Sequence, residues 1–200
     1  MRTLVAFLSL AAAAVAQPVS FGIRGGIPLT DAFSTVTSTS SSGSFVKDFS
    51  NSKEYEIGAM VELHLPLGLA VEADALYHPM NLSQQIYLAP GNVQAGTYHN
   101  SMTVNSWEFP ILGKYHFLPL PLVKPYVEAG PSFRALGNSA SYFSSSGFTL
   151  GAGVEIKISR LRIEPDIRYT HWGSDSASSI AEGFTPSNVN QASFLVGIAF

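Results

Sequence analysis

No cysteine occurs in the 200 residues, which excludes disulfide cross-links and cysteine metal ligands and the lipid-anchor cysteine of an exported lipoprotein. Charge is scarce as well: Asp, Glu, Lys and Arg make up 12 % of the chain, against roughly a quarter in an ordinary soluble domain. The 11 basic residues are scattered among 14 acidic ones, so the electrostatic footprint of a nucleic-acid binder is missing. Beyond residue 16 no apolar run approaches the ~18 residues of a membrane helix. No glycine-rich phosphate loop is present, because "GIRGG" falls inside an alternating segment. The five histidines, His64, His78, His99, His116 and His171, are not grouped at metal-ligand spacing, and no cofactor is expected. If this chain crosses a membrane, it must do so as a closed barrel, the other structure that satisfies every backbone polar group in lipid.

The amino terminus is distinctive. Arg2, an apolar run from Leu4 to Ala16 and the small-x-small ending Ala14-Val15-Ala16 have the form of a secretory signal peptide cut between Ala16 and Gln17. The run is too short to span a bilayer. The expected organisation is a signal peptide over 1–16 and one domain over 17–200. Losing Arg2 leaves ten basic against fourteen acidic groups, a formal charge of −4.

Two-residue alternation fills the rest. In "NQASFLVGIAF", Asn190 to Phe200, the apolar side is Ala192, Phe194, Val196, Ile198 and Phe200, facing Gln191, Ser193, Leu195, Gly197 and Ala199; such a period means a strand with two unlike faces. The same pattern recurs in Val19–Pro28, Tyr55–Leu65, Leu69–His78, Val104–Phe117, Tyr126–Ala135, Phe148–Ile158 and Leu161–His171. Pro110 and Pro131 each remove a ladder donor inside these segments. Pro66-Leu67-Gly68, the Pro-rich "LPLPLVKP" and Ser159-Arg160 are short connections. Leu29–Glu54, Pro79–Thr103, Leu136–Ser146 and Trp172–Val189 are polar, Ser-rich in part, and are expected as long exposed loops that cannot bury enough surface to order themselves. Eight strands result, with long and short connections alternating.

Alternation alone does not separate a barrel from a soluble sandwich. Three features do. The strands reach the ~9–11 residues needed to cross the hydrocarbon, longer than the usual ~5–6. Their polar side carries charges of both signs: Arg24, Lys114, Arg134, Lys157, Arg162 and Arg168 among Glu62, Glu72, Asp74, Glu108, Glu128, Glu155, Glu164 and Asp166. Their apolar side carries aromatics near the strand ends, with Tyr55, Tyr77, Trp107, Phe133, Phe148 and Tyr169 towards the long loops and Phe21, Phe117 and Phe200 towards the short turns. Two such girdles mark two membrane interfaces. The expectation is an all-β, eight-stranded antiparallel up-and-down transmembrane β-barrel with four long loops on one side and three short turns on the other. An eight-stranded barrel leaves room inside only for side chains, so the charges are expected to pair within the lumen.

Two segments carry a family resemblance. "WEFPILGKYHF" (Trp107–Phe117) followed by "KPYVEAGPSFR" (Lys124–Arg134) resembles the repeated strand pair of the bacterial outer-membrane β-barrel domain family, the small eight-stranded group with OmpA-like and OmpX-like barrels. The terminal "FLVGIAF" is similar to the outer-membrane assembly signal, whose last residue is typically Phe, here Phe200. The resemblance spans essentially the whole mature chain and implies export to the bacterial outer membrane, contact with its lipid, and recognition by the assembly machinery through the last strand. A monomer is expected, with no nucleic-acid partner. It also implies that prolines at 110 and 131 are tolerated.

Catalytic constellations are thin. "RYTHWGSD", Arg168–Asp175, invites comparison with the outer-membrane lipid A deacylases, which space His and Ser two apart on one strand face. Here His171 and Ser174 are three apart, which fits a rim histidine better. Glu164 and Asp166, two apart, have the form of an acid–base pair, but Arg162 and Arg168 flank them on the same face, as in a salt-bridge ladder. The expected function is non-catalytic: envelope structure, adhesion or ligand contact through the long loops. A narrow pore is the alternative, and a lipid-modifying enzyme the third reading.

Overall fold

The computed structural model describes residues 19–31, 35–40, 44–50, 55–88, 96–118, 120, 122–137, 145–173 and 188–200. The expected signal peptide with Ala16 and Gln17, and Ser174, lie outside the described residues. The strands are β1 (Val19–Pro28), β2 (Val36–Thr39), β3 (Phe45–Ser50), β4 (Glu56–His64), β5 (Leu69–Leu88), β6 (Gly96–His116), β7 (Val123–Leu136), β8 (Ser146–Ile158), β9 (Leu161–Trp172) and β10 (Asn190–Ala199). Eight of them close a ring in the order β1-β4-β5-β6-β7-β8-β9-β10, every pairing antiparallel. The seam is β1 against β10, with Ile23 opposite Ile198, and Phe21 and Phe200 exchange backbone hydrogen bonds at its end. Closure leaves no open edge among these eight strands, which is the condition for a sheet in lipid.

The barrel is inside out relative to a soluble domain. Phe21, Ile23, Ile57, Ile111, Phe133, Phe148, Leu150 and Ile167 on the apolar faces are exposed, whereas Arg24, Glu62, Glu72, Lys114, Glu128, Glu164, Asp166 and Arg168 are buried. Taking several unpaired charges out of water is prohibitive, so this arrangement is stable only if the outside meets lipid and the inside is fully paired.

At the turn end, β4 and β5 join through Pro66–Gly68, where Leu67 (φ 67°) and Gly68 (φ 77°) both take the left-handed conformation. Pro110 and Pro131 lie within β6 and β7. Pairing lapses between Pro110↔Ser132 and Gly113↔Ala129 and then resumes, so the missing donors interrupt the ladder without ending the strands.

Two of the expected long loops are not loops throughout. Within Leu29–Glu54 the chain forms β2 and β3, and within Pro79–Thr103 β5 and β6 continue as a paired ribbon from Pro79↔Asn105 to Leu88↔Gly96. β3 docks on the extended part of β5, with Phe45 opposite Tyr87 and Val46 opposite Ile86. A four-stranded ribbon, β2-β3-β5-β6, therefore continues from the loop end of the barrel. The Ser/Thr-rich composition argued against an ordered core, but an antiparallel ladder above the rim requires only backbone pairing and cross-strand contacts. The Phe45–Tyr87 ring stack, with centroids 5.2 Å apart, is one of these contacts.

Candidate functional site

The lumen is the site the fold builds. Glycines on the inward faces make room for its large side chains. A Cβ at Gly151 would lie 2.5 Å from Glu128 Oε1, and one at Gly153 would lie 2.6 Å from Tyr126 Cζ, both closer than atoms can approach. Bulk on β7 is thus matched by its absence on β8, since Glu128 pairs with Gly151 and Tyr126 with Gly153.

Three buried cations organise the middle. Arg24 donates through Nη1 to Asp166 Oδ2 at 2.6 Å and through Nη2 to Glu72 Oε2 at 2.9 Å. Lys114 Nζ donates to Glu62 Oε2 at 2.9 Å, to Glu164 Oε2 at 2.8 Å and to Glu72 Oε2. It also lies 4.5 Å from the centroid of the Tyr126 ring, and the Tyr126 hydroxyl donates to Asp166 at 3.3 Å. Arg168 donates to Glu128 at 2.7 Å, Asp74 at 2.6 Å and Glu72 at 2.5 Å. Arg168 stands on β9 and Asp74 on β5, four strands away around either side of the ring, so this pair crosses the full bore. The side chains of Arg24, Lys114, Glu72, Asp74 and Glu128 are wholly shielded from solvent. Charge-assisted bonds of this kind are the strong class of hydrogen bond.

Towards the loop end the lumen is closed by other chemistry. Ser193 donates to Glu56 at 2.5 Å, and His78 Nδ1 lies 3.3 Å from Glu108 Oε1. Ser132, Thr149 and Thr170 form a hydroxyl chain. Trp172 is fully buried; its indole N–H donates to Gln191 at 2.8 Å, and the Arg134 guanidinium lies 4.5 Å above its ring. Towards the turn end, Arg162 Nη1 donates to Glu62 at 3.2 Å and Glu155 at 3.4 Å and contacts His64, while Lys124 donates to Glu155 at 2.9 Å.

Two clusters have carboxylate or imidazole atoms close enough to share a metal ion, Glu62 with Glu72 and Glu164, and Glu62 with His64 and Glu155. Cations of the chain already bridge both. Lys114 Nζ bonds all three carboxylates of the first, and Arg162 Nη1 reaches all three members of the second.

Of the inward charges expected from the sequence, Arg24, Glu62, Glu72, Asp74, Lys114, Glu128, Arg134, Glu155, Arg162, Glu164, Asp166 and Arg168 are buried in the lumen, and Glu108 is bonded to His78 beside them. Lys157 is the exception. It is exposed at the turn-end mouth and makes no ion pair with a described residue, because β8 carries it past the last carboxylate of the lumen. Glu164 and Asp166 are tied most closely to Lys114 and Arg24 from other strands, while Arg162 and Arg168, the partners the ladder reading named, stand farther off at 3.9 and 3.5 Å. Glu56, His64, His78, His116, Tyr126, Trp172 and Gln191 also line the interior; all lie at alternate positions of their strands, and that parity is the signal by which they can be found. Of the aromatics, Tyr55, Trp107, Phe133, Phe148 and Tyr169 are exposed on the outer face towards the loop end, and Phe21, Phe117 and Phe200 towards the turn end. Tyr77 packs between Tyr55 and Trp107 and donates to Asn105 at 2.7 Å. His171 bonds Asn190 at 2.8 Å at the loop-end rim.

The family model for the outer membrane protein beta-barrel domain matches residues 3–200. The chain belongs to this family. Among solved structures it is similar in fold to the outer membrane protein OprG from Pseudomonas aeruginosa, at 16 % identity and a TM-score of 0.53, over 92 % of this chain and 95 % of that one. It also aligns with Neisserial surface protein A (NspA), at 15 % identity and a TM-score of 0.48, over 90 % of this chain and 94 % of that one. Curated proteins give no match to the sequence. Membership accounts for the exposed apolar belt and the buried charge together, since an outer-membrane barrel turns its apolar face to lipid.

Proposed function

We propose that this outer-membrane barrel is a non-catalytic, non-conducting scaffold that holds a strand ribbon on the outer surface as a contact surface for a ligand or another cell. The observation that carries the reading is the bore-crossing network of Arg168, Arg24 and Lys114. A solute would have to break several charge-assisted bonds, all away from water, to pass it. Barrels of this kind carry short turns on the periplasmic side and longer loops outside, which would place the β2-β3-β5-β6 ribbon outside. The ribbon carries a pocket of about 350 Å³ between Thr39, Phe45, Val46, Ile86, Tyr87 and Leu88, a mostly apolar surface far from the membrane plane. Function in scaffolded folds concentrates in such projecting segments.

In this reading residues 1–16 direct export, Phe200 and its strand engage the assembly machinery, the aromatic girdles seat the barrel in lipid, and the barrel works as a monomer. The deciding experiment is a planar-bilayer recording of the refolded protein. No steady conductance is expected. A cation-selective conductance altered by Glu128→Gln or Arg134→Gln would refute the closed lumen and establish the narrow pore, since buried acids outnumber buried bases by eight to five. Protease treatment of intact cells is expected to cut within the ribbon or its connections; complete protection would refute surface display.

A further inference from the structure

We propose that the turn-end mouth of the lumen is a binding site for a phosphate-bearing anion. The mouth is a cavity of about 480 Å³, and its wall carries Lys124, Lys157, Arg160, Arg162 and His64 against one acidic side chain, Glu155, and the backbone end at Phe200. This reverses the balance deeper in the lumen, where acids predominate. The acid excess accounts for part of the basic lining: Arg162 reaches Glu62 and Glu155, and Lys124 holds Glu155. It does not account for Lys157 and Arg160, which make no ion pair with a described residue. Arg162 Nη2 is buried, makes no hydrogen bond and stands at ion-pair distance, 3.9 Å, from Glu164 Oε1.

The register makes the arrangement costly in the absence of a ligand. Lys157 lies directly opposite Arg162 in the β8–β9 ladder, and like charges directly opposite each other destabilise a sheet. Arg160 adds a third positive charge from the turn between them. A concave site lined by one sign of charge focuses its field on a counter-ion. Guanidinium forks match the oxygen geometry of phosphate, and several cations around one cavity suit a dianionic phosphate monoester better than a single carboxylate. In family barrels the short turns face the periplasm, so the phosphate reaches the mouth either as a soluble ester or as the headgroup of a neighbouring lipid.

The test uses the full mature chain folded in zwitterionic nanodiscs, titrated calorimetrically with glycerol 3-phosphate. Saturable binding is expected, weakened at least ten-fold in Lys157→Gln/Arg160→Gln and retained in Lys47→Gln on the distant ribbon. The single variant Lys157→Gln relieves the opposed charges, so its unliganded unfolding midpoint should rise and its glycerol 3-phosphate-induced midpoint shift should shrink. Repeating the titration in discs containing phosphatidylglycerol separates the sources. Loss of glycerol 3-phosphate binding there identifies a lipid headgroup as occupant, and persistence identifies a soluble ester. Equal affinity in the wild type and Lys157→Gln, or no binding in the wild type in zwitterionic discs, would overturn the site.

Discussion

Replacing Lys114 by methionine isolates what the central cation does. The methionine side chain is similar in length and unbranched, so it can fill most of the same space, and the change is chiefly electrostatic. Lys114 Nζ sits 2.9 Å from Glu62 and 2.8 Å from Glu164, in contact with Glu72 and 4.0 Å from Glu128. Without it, carboxylate oxygens of Glu62, Glu72 and Glu164 that lie within 4.8 Å of one another face each other in a lumen shielded from bulk solvent. At an effective dielectric near 20, each such pair of like charges repels by roughly 3 kcal/mol before the side chains relax. Removing one partner of a buried ion pair typically costs about 3–5 kcal/mol, and the convergence of three acids on one ammonium puts Lys114→Met at the upper part of that range. Urea-induced unfolding in lipid vesicles, followed by tryptophan fluorescence, measures the loss.

The same geometry predicts what rescues the variant. Adding Glu72→Gln removes the acid shared by Lys114, Arg24 and Arg168, and the double variant should be more stable than the sum of the two single losses allows. A divalent cation should also raise the midpoint of Lys114→Met and not that of the wild type, because the three carboxylates then present a vacant oxygen cluster of the kind calcium accepts. A Lys114→Met protein as stable as the wild type, with additive losses in the double variant, would refute the claim that these charges form one coupled network.

Ile111 lies four residues from Trp107 and six from Phe117, the two girdle residues of this segment, about 13 and 20 Å along the chain, which places it near mid-bilayer. Ile111→Arg should therefore cost ~2–4 kcal/mol and Val123→Arg at the turn rim ~0–1 kcal/mol; equal small losses in vesicle unfolding would contradict the lipid-facing assignment. Gly153→Val drives a side chain into Tyr126 and Asp166 and should destabilise by about 1–3 kcal/mol, read as a lower midpoint or loss of the folded band on unheated gels, whereas Gly96→Val on the ribbon should be near neutral. His171 is held by Asn190 at the rim, so His171→Ala should leave the lipid A profile of intact cells unchanged; an altered acylation pattern would reopen the enzyme reading.

The eight barrel strands were readable because each has one face that must be apolar and one that must not, and their observed limits fall within a few residues of the alternation except where β5 and β6 run on. The ribbon escaped the same reading for a physical reason. Ser83, Gln85 and Tyr87 alternate with Gln84, Ile86 and Leu88, but above the rim water meets both faces, no face is selected for burial, and the two-residue period carries no signal. Lys157 shows a different limit. Its parity assigns it correctly to the inward face, but parity carries no information about height along the barrel axis, and height decides whether a carboxylate is within reach.

Height is set by the stagger between strands, and the sequence carries a trace of that stagger in its glycines. Glu128 lies opposite Gly151, Tyr126 opposite Gly153, and Arg24 between Gly58 and Gly197. Each of these three groups faces a residue with no side chain, which relieves crowding in a small barrel, whereas Glu62 lies opposite Glu72 and Lys114 opposite Glu128, pairs held by charge rather than by space. A slip of two residues in β8 against β7 would keep every face correct and would still bring Glu128 against Thr149 or Tyr126 against Glu155. Alternation therefore determines which side of the sheet a residue occupies, and the pairing of bulk with glycine selects one register among those that alternation leaves equivalent. The same register carries Arg168 across to Asp74, so the glycine pattern on the inward face is also what closes the bore.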